Sequence, residues 1–448
     1  MDAVELDRRF RTYDGWIPPW VVSTLVEHGH LGEVRVQADL GDWYCAHEVV
    51  GVLLDQDRLQ AALDVLRPFV DSGWWEAVKT LADILEQRGR RDEAIALVRP
   101  YAEVGDRLAV ARLAGMLSRQ GRVDDVIALL RPGIEDWYLA EALVELTAGQ
   151  GRDGEVTALL RGLVEAKQRQ AAPRFAEPRN AETLLATVLE RQGRVDDAVA
   201  LLHEHLRGDG VGAVNVLKHL ADILARHGRE TQLRDFVAGA GGEYAAYRLA
   251  AHLEGQGRLR EAVEALRPFT AGGSRNPAAM LAELLTRHGR VDEAIAVLRP
   301  VAVPMGGDGW TVRMLWTLLA DQGRVDEALT VIDDLAVEAG GMSTEPFLER
   351  ILLLAYCGRF DQAIVELRNH READTWYMVG YLADVLADAG RLDEAVAVLS
   401  SSDHHVVHAT ALATLLIRQG RVAEAVEILH NRVLLPNPDD PWASLPAD

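Results

Sequence analysis

Apolar positions along this chain fall into two alternating helical patterns. The first is Leu-Ala-x-x-Leu, seen at Leu81-Ala82-Leu85, Leu220-Ala221-Leu224, Leu249-Ala250-Leu253, Leu281-Ala282-Leu285, Leu382-Ala383-Leu386 and Leu412-Ala413-Leu416. Positions i, i+1 and i+4 share one face of a helix, and the residues around them are polar, so each segment predicts an amphipathic helix. The second pattern follows a few residues later and reads Ala94-Ile95-Val98 in one copy. Its small residue recurs as Ala62, Ala198, Ala262, Ala294, Ala328, Ala363, Ala395 and Ala425. Leucine fills the space between helices, and alanine lets a neighbouring backbone come close. Val126, Val156 and Leu233 replace the small residue, which predicts looser or shifted packing there.

A short polar phrase, Gly-Arg-x-Asp-Glu-Ala, joins the two patterns, most clearly from Gly89, Gly289, Gly323 and Gly390. Glycine ends the first helix because it takes the left-handed conformation at little cost. Asp92 and Glu93 then open the second helix, at the positive end of its dipole. Pro68, Pro100, Pro132, Pro268 and Pro300 follow an arginine and predict an early end to the second helix. The residue closing the turn falls at His30, Arg58, Arg90, Arg122, Arg152, Arg194, Arg229, Arg258, Arg290, Arg324, Arg359, Arg391 and Arg421. That makes thirteen units, mostly of 28–35 residues, with one interval of 42. A repeat of this period predicts stacked helix pairs in which each unit touches its neighbours.

The Gly289-Arg290-Val291-Asp292-Glu293-Ala294 segment resembles the inter-helix turn and small second-helix residue of the tetratricopeptide repeat, and the resemblance runs over nearly the whole chain. It implies an all-α fold: an α-solenoid, wound as a right-handed superhelix, of about thirteen TPR-like helix-turn-helix repeats. The chain departs from the family in its first-helix alanine, its early Arg-Pro and its shorter units, which bear on pitch and curvature. Sel1-type repeats are similar but run longer. Pentatricopeptide repeats share the Gly-Arg-x-Asp-Glu-Ala look and bind RNA.

We expect one continuous repeat domain over 1–431 and a Pro/Asp-rich tail over 432–448. A basic insertion at 165–182 holds Lys167, Arg169, Arg174 and Arg179, and a possible hinge lies at 301–310. A third loose stretch covers 339–346.

Composition narrows the function. The net charge of −22 disfavours nucleic acid, whose binding depends on neutralising phosphates, and favours partners with basic segments. Arginine far outnumbers lysine, which occurs only at 79, 167 and 218; with the alanine load this points to a high-GC bacterial source. No apolar run approaches about 18 residues, so no membrane span is expected. The charged start lacks a signal core, and Cys45 and Cys357 stand alone, which together predict a reducing cytoplasm.

No nucleophile elbow, phosphate-cradling loop or metal-ligand spacing is present, so no enzyme activity, cofactor or metal is expected. His404, His405 and His408 lack a second ligand cluster, and His203-Glu204-His205 lacks the spacing of a zinc protease motif. The Arg-Pro arginines Arg67, Arg99, Arg131, Arg267 and Arg299 are expected to pair with acids of adjacent units.

The expected function is a non-catalytic scaffold or adaptor that holds a protein or peptide along its concave face. The alternatives are a pentatricopeptide-like RNA binder and an enzyme whose site is assembled across the groove. In related repeats the polar face of the first helices lines that groove. The resemblance therefore implies Lys79, Asp83, Glu86 and Gln87 in one unit, and Asn215, Lys218, Asp222 and Arg226 in another. Further along it implies Asn276, Glu283 and Arg287, then Trp310, Arg313 and Thr317, then Tyr377, Asp384 and Asp388. Aromatic residues gather where first helices begin: Trp16, Trp43-Tyr44, Trp74-Trp75, Trp137-Tyr138, Tyr244, Trp310 and Trp376-Tyr377. They set the angle between units or anchor a partner.

Overall fold

A computed structural model of the chain describes residues 2–169, 181–206, 213–239, 242–270, 274–302, 309–338, 344–402 and 407–431. Most of the basic insertion, the centre of the 301–310 stretch, residues 339–343, His404 and His405, and the 432–448 tail lie outside them. The described residues form 27 α-helices and no strand. After the helix Ala3–Thr12 they run as thirteen successive pairs, from Pro19–Glu27 with Leu31–Asp39 to Ala409–Arg418 with Val422–Asn431.

The turn between paired helices is built as the glycine predicts. Gly89 takes φ +78°, its N–H bonds to the Glu86 carbonyl at 3.0 Å, and the Arg90 N–H reaches back to Leu85 at 2.8 Å. Leu85 thus closes the helix with its backbone while its side chain is buried. At the same place in an earlier unit stands Asp57, which takes φ +55° without being glycine.

The two apolar patterns form the core. Ala62, Ala94, Ala198, Ala262, Ala294, Ala328, Ala363, Ala395 and Ala425 are all wholly buried, as are Leu220, Leu253, Leu281 and Leu386. Val126, Val156 and Leu233 are equally buried, so the larger side chains are accommodated within the stack.

The prolines act differently from the sequence expectation. Pro68, Pro100 and Pro268 lie inside their helices, Leu59–Val70, Arg91–Glu103 and Leu259–Thr270. A proline in the last turn forfeits one N–H bond, and burial of Phe69 and Ala102 just beyond it holds the first two of those turns in place. Pro132 and Pro300 do end the α-helix, in short 3-10 turns at Arg131–Gly133 and Arg299–Val301.

The polar letters of the repeat form a ladder of ion pairs. Arg324 bonds its own unit's Glu327 at 2.8 and 3.0 Å and the preceding unit's Asp292 at 2.7 Å. Arg299, before Pro300, reaches the same Glu327 at 2.8 Å. Arg391 and Arg368 flank Glu394 in the same way, and Arg152 and Arg131 flank Glu155. The charge of Arg267 likewise acts on Glu293 of the next unit. Arg67 instead pairs with Asp64 of its own helix. Hydrogen bonds from Arg391 and then Arg368 hold the Glu394 carboxyl at about 2.

The chain divides into two compact units, Met1–Arg90 with Arg350–Asp448, and Arg91–Glu349. In the first, an N-terminal and a C-terminal repeat meet, with the helix Pro19–Glu27 packed on Ala409–Arg418. Its N-terminal part holds an aromatic core: Trp43 packs edge-on against Trp74 at 4.9 Å and Phe69 at 5.2 Å, and Trp16 lies 6.2 Å from Trp74. The second unit carries the groove described next.

Candidate functional site

Five first helices of the second unit follow one another: Ala181–Arg191, Ala213–Arg226, Gly242–Gly255, Arg275–Arg287 and Trp310–Asp321. Their polar faces enclose two adjoining pockets that share Lys218. One, of about 410 Å³, is lined by Thr183, Leu184, Thr187, Asn215, Lys218, His219, Asp222 and Arg226. The other, of about 520 Å³, is lined by Lys218, Glu243, Tyr244, Tyr247, Arg248, Asn276, Ala279, Met280, Glu283 and Trp310.

Seven expected groove residues are brought together here: Asn215, Lys218, Asp222, Arg226, Asn276, Glu283 and, at the far wall, Trp310. Tyr244, noted only for its place at a helix start, and Tyr247 extend the set. Their signal was present in the register. Asn215 and Lys218 stand five and two positions before Leu220, and the same offsets from Leu249 fall on Tyr244 and Tyr247.

Most charges in this groove are spoken for by the chain itself. Arg226 forks onto Glu190 at 3.0 and 2.8 Å, with His227 on the same carboxylate at 2.8 Å. Burial raises the Glu190 carboxyl, but the bonds from Arg226 and His227 outweigh that and hold it below its ordinary value. Two repeats later, Arg287 and His288 grip Glu254 in the same way. Asp222 pairs with Arg248. Arg313 bonds the buried Glu349 at 2.6 Å, and the Trp316 indole donates to Glu349 at 2.9 Å. Thr317 donates to its own helix, at the Arg313 carbonyl. The Lys218 ammonium instead lies 5.1 Å from the centre of the Tyr244 ring.

The remaining expected residues lie in the first unit. Lys79 pairs with Glu76 of its own helix at 2.5 Å. Asp83 and Glu86 are half-buried on that helix, and Gln87 is exposed. Tyr377 donates to Glu372 at 2.6 Å. Asp384 reaches solvent, yet the protein around it desolvates it and, with the Asp388 charge, lifts its carboxyl above the ordinary value.

The helix-start aromatics divide by exposure. Trp16, Trp43 and Trp74 are core residues, while Trp310 and Trp376 are 37% and 53% exposed. Asp-Trp-Tyr at 42–44 and 136–138 is a capping device: Asp42 accepts the Cys45 N–H at 3.0 Å and Asp136 the Tyr138 N–H at 2.8 Å. Asp42 also accepts the Ile17 N–H, and burial raises its carboxyl. Burial, then the nearby Asp42, pushes the Cys45 thiol upward.

Among the described residues no group of three or more His, Cys, Asp or Glu could hold a metal. His408 is buried against Gly380, His203 packs on Phe236, and His205 lies 3.3 Å from Glu182. No described helix is long and apolar enough to cross a membrane.

Paired helices, glycine turns and a stacked leucine-alanine core define an all-α repeat solenoid. Tetratricopeptide repeat models match residues 247–302, 181–204, 380–400 and 406–431. The chain is a tetratricopeptide-like repeat protein. Repeats of this class are typically non-catalytic and bind protein or peptide partners.

No curated protein matches the chain. Similar solved structures include Naa15/Naa10 bound to HypK-THB, with TM-score 0.37 and 13% identity over 86% of this chain and 67% of that one. The pentatricopeptide repeat protein PPR10 from maize gives 0.33 and 17%, over 89% of this chain and 60% of that one. Yeast Tom70 gives 0.28 and 13%, over 79% and 94%. Likeness at this level says nothing of a partner.

Proposed function

We propose that this chain is a non-catalytic scaffold that holds a peptide or protein partner along the first-helix groove of its second unit. The observation that carries the reading is the pair of adjoining pockets joined at Lys218 and walled by successive repeats. A groove with Tyr244, Tyr247, Met280 and Trp310 on it suits an extended partner, because aromatic side chains give contact area at low entropic cost and a flexible methionine adapts to what lies against it. The two cysteines form no disulfide, which fits the cytoplasm as its place of work.

Photo-crosslinking tests the reading. A benzophenone amino acid placed at Met280 or Trp310, in cells, captures a common partner. The same group at Arg260, an exposed second-helix position, captures none. Equal capture at all three positions, or none at Met280, overturns the assignment.

A further inference from the structure

We infer that the larger groove pocket receives a basic side chain of the partner, an arginine or lysine flanked by apolar residues. The inference rests on the scaffold reading and adds the chemistry of what is held.

Subtracting the charges that the chain neutralises itself leaves few for a partner. Asp222 is taken by Arg248, Arg226 by Glu190 and Arg287 by Glu254. Glu243 and Glu283 line the larger pocket, and neither makes a hydrogen bond or ion pair among the described residues, although the Glu283 charge acts on Arg287 from a distance. Among the described lining residues Lys218 is the cation left without a carboxylate, and it lies over the face of Tyr244 at the junction of the pockets.

The walls suit a cation with an apolar stem. Glu283 shares the pocket with Met280, Ala279 and the partly exposed indole of Trp310. A guanidinium or ammonium there gains a carboxylate partner and an aromatic face, and its methylenes cover Met280. Both tyrosine rings of this pocket already carry cations from the chain itself: Lys218 over Tyr244, and Arg248 5.3 Å from the Tyr247 centre. The Trp310 face carries none among the described residues, which places the incoming charge on the Glu283 side. The net charge of −22 attracts a basic segment from a distance and repels an acidic one.

Three dye-labelled, end-blocked peptides differing only in a central Arg, Glu or Leu, each flanked by leucines, test this against the full chain by fluorescence anisotropy. The expected order is Arg tightest, by about tenfold over Glu, the scale of one charge-assisted contact. Glu243→Gln with Glu283→Gln abolishes the preference, Lys218→Ala preserves it, and rising salt weakens it. Circular dichroism melts confirm that the variants are folded. Tighter binding of the Glu peptide would assign the pocket to anions through Lys218 and overturn the inference, as would a preference that survives the double substitution. If Met280 crosslinks a partner while the peptides bind without charge preference, this inference falls and the scaffold reading stands. If Met280 captures nothing, both fall.

Discussion

Arg226 donates two hydrogen bonds to Glu190, 36 positions earlier and one repeat behind. Glu190 is largely buried, whereas the arginine is half-exposed, so the pair ties adjacent first helices while remaining open to solvent. Arg226→Ala should lower the melting midpoint modestly, by about 1 kcal/mol or less in stability, since screening limits a half-exposed pair. Thermal melts at low and high salt would check this, and the loss should shrink as salt rises. Partner affinity should fall no more than stability does, because the guanidinium is committed within the stack.

Acid should loosen the stack in a defined window. Bonds from Arg258 and Arg234 hold Glu230 at about 2, Arg391 and Arg368 hold Glu394 at about 2, and Arg287 lowers Glu254. A carboxyl depressed in the folded state binds its proton more readily once unfolded. Its contribution is therefore complete above the ordinary value of 4.5 and is lost as pH falls toward about 2. Melting midpoints measured from pH 7 to pH 2 should drop below pH 4.5, and Glu254→Gln should flatten the drop. A midpoint rising on acidification would contradict the ladder.

Asp42→Ala should be among the most damaging polar substitutions. It removes a helix cap, worth about 0.5–2 kcal/mol, and strands the buried Ile17 N–H, worth about 1–3 kcal/mol more. Urea denaturation should show a loss of about 2–4 kcal/mol, and Asp42→Asn should recover only part of it, because its single amide oxygen cannot accept from both the Cys45 and the Ile17 N–H.

The two classes of aromatic residue should separate cleanly. Trp43→Ala opens the packed cluster with Phe69 and Trp74 and should cost about 3–5 kcal/mol. Trp376→Ala, at a half-exposed ring, should stay within about 0.5 kcal/mol of the parent. Comparable losses in urea would refute the assignment of Trp43 to the core.

A methyl group at Gly89 would meet open space, with nothing within 4 Å, yet the backbone there has φ +78°. Gly89→Ala should thus cost about 1–2 kcal/mol through conformation alone. A neutral melt would mean that the turn relaxes.

Local chemistry made the helix pairs legible. Leu85, Gly89, Arg90 and Ala94 declare a helix, its end and the next helix within ten residues, because capping and amphipathic burial act at short range. The proline expectation failed at Pro68, Pro100 and Pro268 for a related reason: local propensity forbids the helix interior, but a last turn can tolerate proline when residues beyond it are buried. Tyr247 is readable from its offset to Leu249, the same as that of Lys218 to Leu220.

The sequence by itself determined the thirteen helix pairs, their turns and the inward stripe of leucine and alanine, since each depends on neighbours a few positions away. Only the tertiary structure decided which charges serve the stack and which stay open in the groove. Arg226 and Lys218 belong to one helix face, yet one is bound 36 positions back and the other lies over an aromatic ring. That distinction arises between repeats, where the stacking of successive backbones sets which side chains come within reach.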